Sequence, residues 1–201
     1  MRCWHCGRDL VEGARFCSAC GHSPEHRGLS PIFVVDSATD LLSQEFLEAV
    51  TGQEITRALR YARPLSLIYV EMDHLEEVRQ GLDGAPLDAL ARELGRVVGA
   101  SVRDTDTLAY LRGDSSPAYA VLVPEADREA AVQAADKLRR VVSAHDFRHG
   151  GNWRRLTISV GVATVNHGRM DAQNLLQEAR SALSSGRDLG GGFDRTYAAG
   201  V

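Results

Sequence analysis

Apolar and polar positions along this chain follow two alternating periods. Residues 41–62 place Leu42, Phe46, Val50 and Leu59 at helical spacing, which predicts an amphipathic helix. Pro64 ends it, because the residue before a proline is pushed out of the helical region. Leu65 to Met72 is a short, mostly apolar run of strand length, as expected for a central strand buried on both faces. Helical spacing returns at Leu87, Leu90, Leu94 and Val97/Val98. Thr105 to Leu111 and Tyr119 to Val123 read as a hairpin. Asp127 is a candidate N-cap for a helix with Ala131, Ala134, Leu138 and Val141 on one face. Leu156 to Ala163 reads as a strand, and Asp171 caps a last helix through Leu175, Ala179 and Leu183. Helices alternating with strands imply an α/β sandwich, with helices covering a sheet.

The first part of the chain lacks this patterning and carries different chemistry. All four cysteines lie within the first twenty residues, as Cys3-Trp-His-Cys6-Gly and Cys17-Ser-Ala-Cys20-Gly, ten residues apart. Two residues between cysteines let both thiolates face one point, and the glycine after each pair permits the tight turn. Four thiolates in tetrahedral array suit zinc in a closed, structural site. So short a segment cannot bury enough apolar surface to fold alone, so metal would supply its folding energy. His5, His22 and His26 are bystanders to a complete cysteine set. Residues 1–22 are thus expected to form a zinc ribbon and residues 23–35, with Pro24, Gly28 and Pro31, a linker. Residues 36–201 form the main domain.

Composition narrows the function classes. A hydrophobic content of 44% with 25% charged residues describes a globular chain, not a disordered one. Clustered cysteines do not fit a disulfide-stapled secreted domain. The longest strongly apolar run is too short to span a bilayer, and the opening Met-Arg-Cys-Trp-His-Cys has no signal-peptide core. The expectation is a cytoplasmic protein with no membrane contact. A net charge of −4 and no basic, aromatic-rich patch argue against a nucleic-acid partner. Lys137 is the single lysine against 22 arginines, so any phosphate site must use arginine or backbone N–H groups.

Several segments in order resemble the GGDEF family, the diguanylate cyclase domains of bacterial signalling. Asp36-Ser-Ala-Thr39-Asp40-Leu41-Leu42-Ser43 resembles its opening motif. Arg63-Pro64-Leu65-Ser66-Leu67 leading into Glu71-Met72-Asp73-His74-Leu75 resembles its first strand and Asp-x-Asp-His-Phe. Leu156-Thr-Ile-Ser-Val-Gly161-Val-Ala163 resembles its late strand. The resemblance covers about residues 36–187. It implies a nucleotide-cyclase-like sandwich with a central, mostly antiparallel sheet, and relatives that often work as homodimers.

The same resemblance marks departures at the active site. The signature position reads Arg112-Gly113-Asp114-Ser115-Ser116-Pro117-Ala118-Tyr119, with Tyr119 in place of phenylalanine and three extra residues before the strand ending at Pro124. In the family, Mg²⁺ sits on the first aspartate of Asp-x-Asp and on the acids of the signature. Glu71 and Asp114 keep carboxylates there and are the candidate Mg²⁺ ligands. The second signature acid is replaced by Ser115, or by Ala118 if the insertion lies earlier, and Arg112 replaces the first glycine. Glu76 stands at a phosphate-binding lysine, Arg79 at a guanine-binding asparagine, and Gly191 at an arginine. Asp88 matches a guanine-binding aspartate and Arg187 a phosphate-binding lysine, a nucleotide-binding remnant. Losing one electrostatic contact costs about 10²–10³ in rate, so five departures imply a catalytically inactive domain. The plainer reading of Glu71, Asp73 and Asp114 is an acidic cluster that holds a cation without turnover.

Arg103-Asp104-Thr105-Asp106 precedes Arg112 by five intervening residues and resembles the family's inhibitory, product-binding site. Arginine offers a planar fork to guanine O6/N7 or to phosphate, and aspartate accepts from guanine N1–H and the exocyclic amine. The plainer reading of the pair is a cap or an exposed ion pair worth about 0–1 kcal/mol. The sequence therefore favours a cyclic di-GMP receptor built on an inactive cyclase domain, relaying its state to a protein partner. Two alternatives stay open: a nucleotide-independent adaptor, and an atypical cyclase using Glu71 and Asp114 for metal.

Overall fold

Every side chain from Leu65 to Val70, Ser66 included, is buried in the computed structural model, which explains the mostly apolar run. The structure describes residues 34–36, 39–80, 87–111, 117–149, 152–166 and 170–199. The four cysteines, most of the linker and the signature residues Arg112, Gly113, Asp114 and Ser115 lie outside them.

The strand β1 (Leu65–Met72) is the middle of a five-stranded sheet. It pairs antiparallel with β3 (Ala118–Pro124) on one side and β6 (Ile158–Thr164) on the other. Outside these run β2 (Thr107–Leu111), antiparallel to β3, and β7 (Thr196–Ala198), parallel to β6. The expected mostly antiparallel sheet is thus present, with a single parallel pair at one edge. A separate two-stranded ribbon joins β4 (Asp146–His149) to β5 (Asn152–Arg155).

Strand alternation divides the core in two. Ile68, Val70 and Met72 pack with α3 (Leu87–Gly99) and α4 (Arg128–Ala144). Leu65, Leu67 and Tyr69 pack with α1 (Gln44–Tyr61) and α5 (Ala172–Gly186). A short α2 (Leu75–Gln80) follows β1. Helix starts follow the capping signals: Asp127 and Asp171 accept from the backbone N–H groups of Ala130 and Asn174.

The first helix differs from its sequence expectation. It begins at Gln44, capped by Ser43, and ends at Tyr61 through Ala62 in a left-handed conformation. Its fully buried face is Leu47, Thr51, Ile55 and Ala58; of the expected positions Val50 packs against this core partly buried, while Leu59 is exposed. Leu42 lies before the helix and bridges Val35 and Ala109 instead. A reading by large apolar residues misses this face because two of its four positions are a threonine and an alanine.

Candidate functional site

On β1, Tyr69 and Glu71 are two residues apart and share a face, so the Tyr69 hydroxyl reaches Glu71 Oε1 at 2.9 Å. Burial first, then the Glu71 charge and this hydrogen bond, raise the Tyr69 pKa far above its usual range, so it stays a donor. Asp73 follows the strand end, with its side chain fully buried. Its Oδ1 accepts from Ser159 Oγ at 2.7 Å, and its Oδ2 from the Asp194 backbone N–H at 3.0 Å. Ser159 sits opposite Glu71 in the β1–β6 register, which brings it to this spot.

Arg187 completes the cluster. It leaves the C-terminal end of α5 and donates from Nη1 to Glu71 Oε2 at 2.6 Å and from Nη2 to Asp73 Oδ1 at 2.8 Å. The Phe193 ring lies 5.2 Å from its guanidinium carbon and is itself 4.1 Å from the His74 ring. Its Nε is buried without a partner. A wide turn, Arg187–Gly191, with Gly190 and Gly192 at positive φ, returns the chain so that Phe193 and Asp194 reach this point. From α4, Arg139 holds that return by bonds to Asp194 and Thr196.

All four carboxylate oxygens of Glu71 and Asp73 therefore accept from protein donors. As arranged, these residues do not fit a divalent cation, and the described residues contain no group of three metal-ligating side chains. Asp114, the other candidate Mg²⁺ ligand, lies outside the described residues, as do the zinc-site residues Cys3, Cys6, Cys17 and Cys20. Asp88 stands exposed in the first turn of α3 and is not part of the cluster.

A second site opens on the α3/α4 face of the sheet. Arg103 and Asp106 close a turn before β2, where the Arg103 backbone N–H donates to Asp106 Oδ2 at 2.8 Å. Asp106 Oδ1 is buried and has no partner. Both residues line a cavity of about 380 Å³, floored by Ile68 and Val121 and edged by Lys137 and Arg140. Three cationic residues and one carboxylate thus line the same cavity. Lys137 Nζ donates to the Ser101 carbonyl at 2.7 Å, which holds it at the rim.

Sequence reasoning brought out Glu71, Asp73, Arg187, Arg103 and Asp106, and the structure gathers them into two groups. It missed Tyr69, Ser159, Phe193 and Asp194 around the acids, and Lys137 and Arg140 at the cavity. Ser159 carried a signal, the one hydroxyl on the face of β6 that it shares with Gly161 and Ala163. Lys137 carried another, as the only lysine in the chain.

A family profile described as "Diguanylate cyclase, GGDEF domain" matches residues 33–192, and one described as "zinc-ribbon domain" matches residues 2–23. Diguanylate cyclase DosC of Escherichia coli is 27% identical over 150 residues, covering 74% of this chain and 32% of its own. This chain therefore spans about a third of that relative's length. Among solved structures, the GGDEF domain of DgcB from Caulobacter crescentus in complex with c-di-GMP superposes with a TM-score of 0.73 at 19% identity, covering 84% of this chain and 94% of that one. The diguanylate cyclase SiaD of Pseudomonas aeruginosa, in complex with its activator SiaC, superposes with a TM-score of 0.74 at 21% identity, covering 84% and 62%. Among the described residues no helix is long and apolar enough to cross a membrane.

Proposed function

This chain belongs to the GGDEF family, and we propose that it is a catalytically silent member that binds cyclic di-GMP at the Arg103/Asp106 cavity and relays occupancy to a protein partner. The observation that carries this reading is the buried, unpartnered Asp106 Oδ1 at a cavity that Arg103, Lys137 and Arg140 also line. An unsatisfied buried acceptor costs about 1–3 kcal/mol, and a ligand donor removes that cost. A guanine edge supplies two adjacent donors for it. Its phosphates match the surrounding cations. The apolar floor suits the base rings.

Silence is supported at the other face, where Glu71 is held by Tyr69 and Arg187. The altered signature supports it from the sequence. The four-cysteine module, read as a zinc ribbon, is the natural candidate for the partner contact.

Titration calorimetry of the full chain with cyclic di-GMP tests the receptor. Saturable heat in wild type, lost in Arg103→Ala, is expected. No heat up to about 100 μM, an affinity near −5.5 kcal/mol or weaker, overturns it and leaves the adaptor reading. Incubation with GTP and Mg²⁺ or Mn²⁺ followed by mass analysis is expected to give no product; cyclic di-GMP formation overturns the silent assignment.

A further inference from the structure

We infer that Arg187 is a resident counter-cation for Glu71 and Asp73 and that it closes this acidic pair to divalent metal. The inference deepens the silent half of the proposed function and does not depend on the cyclic di-GMP cavity, which lies on the other face of the sheet.

The donor inventory comes first. Glu71 uses Oε1 for Tyr69 and Oε2 for Arg187. Asp73 uses Oδ1 for Ser159 and Arg187, and Oδ2 for the Asp194 backbone. One guanidinium nitrogen serves each acid, so the planar fork bridges two carboxylates that would otherwise repel each other. Mg²⁺ needs a near-octahedral oxygen shell at about 2.0–2.1 Å. A cation held between both acids would take the place of the guanidinium that bridges them, leaving a mostly buried positive group beside a doubly charged ion.

The surroundings oppose that displacement. A Cβ at Gly186 would lie 2.0 Å from the Tyr197 ring, so the glycine lets Tyr197 lie against the helix end that launches Arg187. The Tyr197 hydroxyl donates to the Gly192 carbonyl at 2.9 Å, across the wide turn. Phe193 packs over the guanidinium, and Asp194, tied to Arg139, supplies the bond to Asp73. Each contact holds Arg187 over the acids. The same engagement withholds Arg187 from anionic ligands, because a phosphate would have to compete with two carboxylates for it.

The test uses the full chain with its zinc content held constant, titrated with MgCl₂ and MnCl₂ and followed by calorimetry. Wild type is expected to show no saturable binding up to about 10 mM, whereas Arg187→Ala, left with two facing carboxylates, is expected to gain affinity by at least about tenfold. Wild-type binding tighter than about 1 mM overturns the inference. So does a folded Arg187→Ala protein that binds no better than wild type. Should that variant not fold, the ¹⁵N side-chain resonances of arginine in wild type decide the matter. A restrained Arg187 guanidinium unchanged by millimolar Mg²⁺ supports the inference, and its release on titration overturns it.

Discussion

The carbonyl oxygen of Ala179 occupies the place where a side chain at Gly161 would begin: a Cβ there would lie 1.9 Å away. The glycine on β6 thus sets how closely α5 lies on the sheet. Two turns further along α5 the same closeness delivers Arg187 to Glu71 and Asp73.

Gly161→Ala should therefore be costly beyond its single methyl group, because the obstacle is backbone and cannot rotate away. A loss of about 3 kcal/mol or more is expected, at the upper end of overpacking penalties. Gly52 in α1 has nothing within 4 Å of a built Cβ. Gly52→Ala should stabilise by about 0.5–1 kcal/mol through helix propensity. Urea midpoints of the two variants check both signs.

The sheet and the main helices were legible because their signals are local. Leu65 to Val70 could be read as a two-faced strand from apolar content alone, and Asp127 and Asp171 announced helix starts by chemistry. Less legible elements owe their form to distant partners. Asp146–His149 and Asn152–Arg155 carry mostly polar and charged residues, and of the first strand Phe147 alone is a buried hydrophobic. β7 is three residues long and exists by pairing with β6. The site divides the same way. Glu71 and Asp73 were visible as a motif, and Arg187 as a matched position. That the arginine lands on the acids depends on Gly161, Gly186 and the wide turn, a tertiary relationship 116 residues apart in sequence for Glu71.

Tyr119, which takes the place of the family's phenylalanine, has its own prediction. Its ring is fully buried, and its hydroxyl donates to the Ala91 carbonyl in α3 at 2.7 Å. Burial, and secondarily Tyr110, push its pKa well above the usual tyrosine value. The folded state therefore holds a proton that the unfolded state releases at about pH 10. This contribution is complete below pH 10 and is lost as pH rises above it toward the folded value. Denaturation curves across that range should show stability falling more steeply in wild type than in Tyr119→Phe. At neutral pH the same variant should lose about 1 kcal/mol for the missing hydrogen bond.

Zinc removal tests the cysteine module separately. One zinc per chain is expected by elemental analysis, with stoichiometric release on thiol modification and a sharp loss in Cys17→Ser. Both cores of the described residues are built without a cysteine. The cooperative urea transition of this domain should therefore keep its midpoint when a chelator strips the metal. A midpoint that falls with zinc would show that the metal supports the larger domain as well.

Asp106 carries two duties that substitution can separate. Oδ2 closes the turn by accepting from the Arg103 backbone, while Oδ1 waits at the cavity. Asp106→Asn keeps one carbonyl-type oxygen for the turn and presents an amide donor where the second oxygen stood. Its stability should stay within about 0.5 kcal/mol of wild type. Facing guanine donors with another donor, it should lose cyclic di-GMP affinity by about 10–100-fold, the cost of a charge-assisted bond replaced by a mismatch. Asp106→Ala removes both duties and should lose about 1 kcal/mol of stability in addition. Lys137→Ala serves as the electrostatic control: it should weaken binding and flatten its salt dependence while leaving the turn intact. If Asp106→Asn binds as tightly as wild type, the carboxylate is a turn residue alone and the cavity reads its ligand by cations.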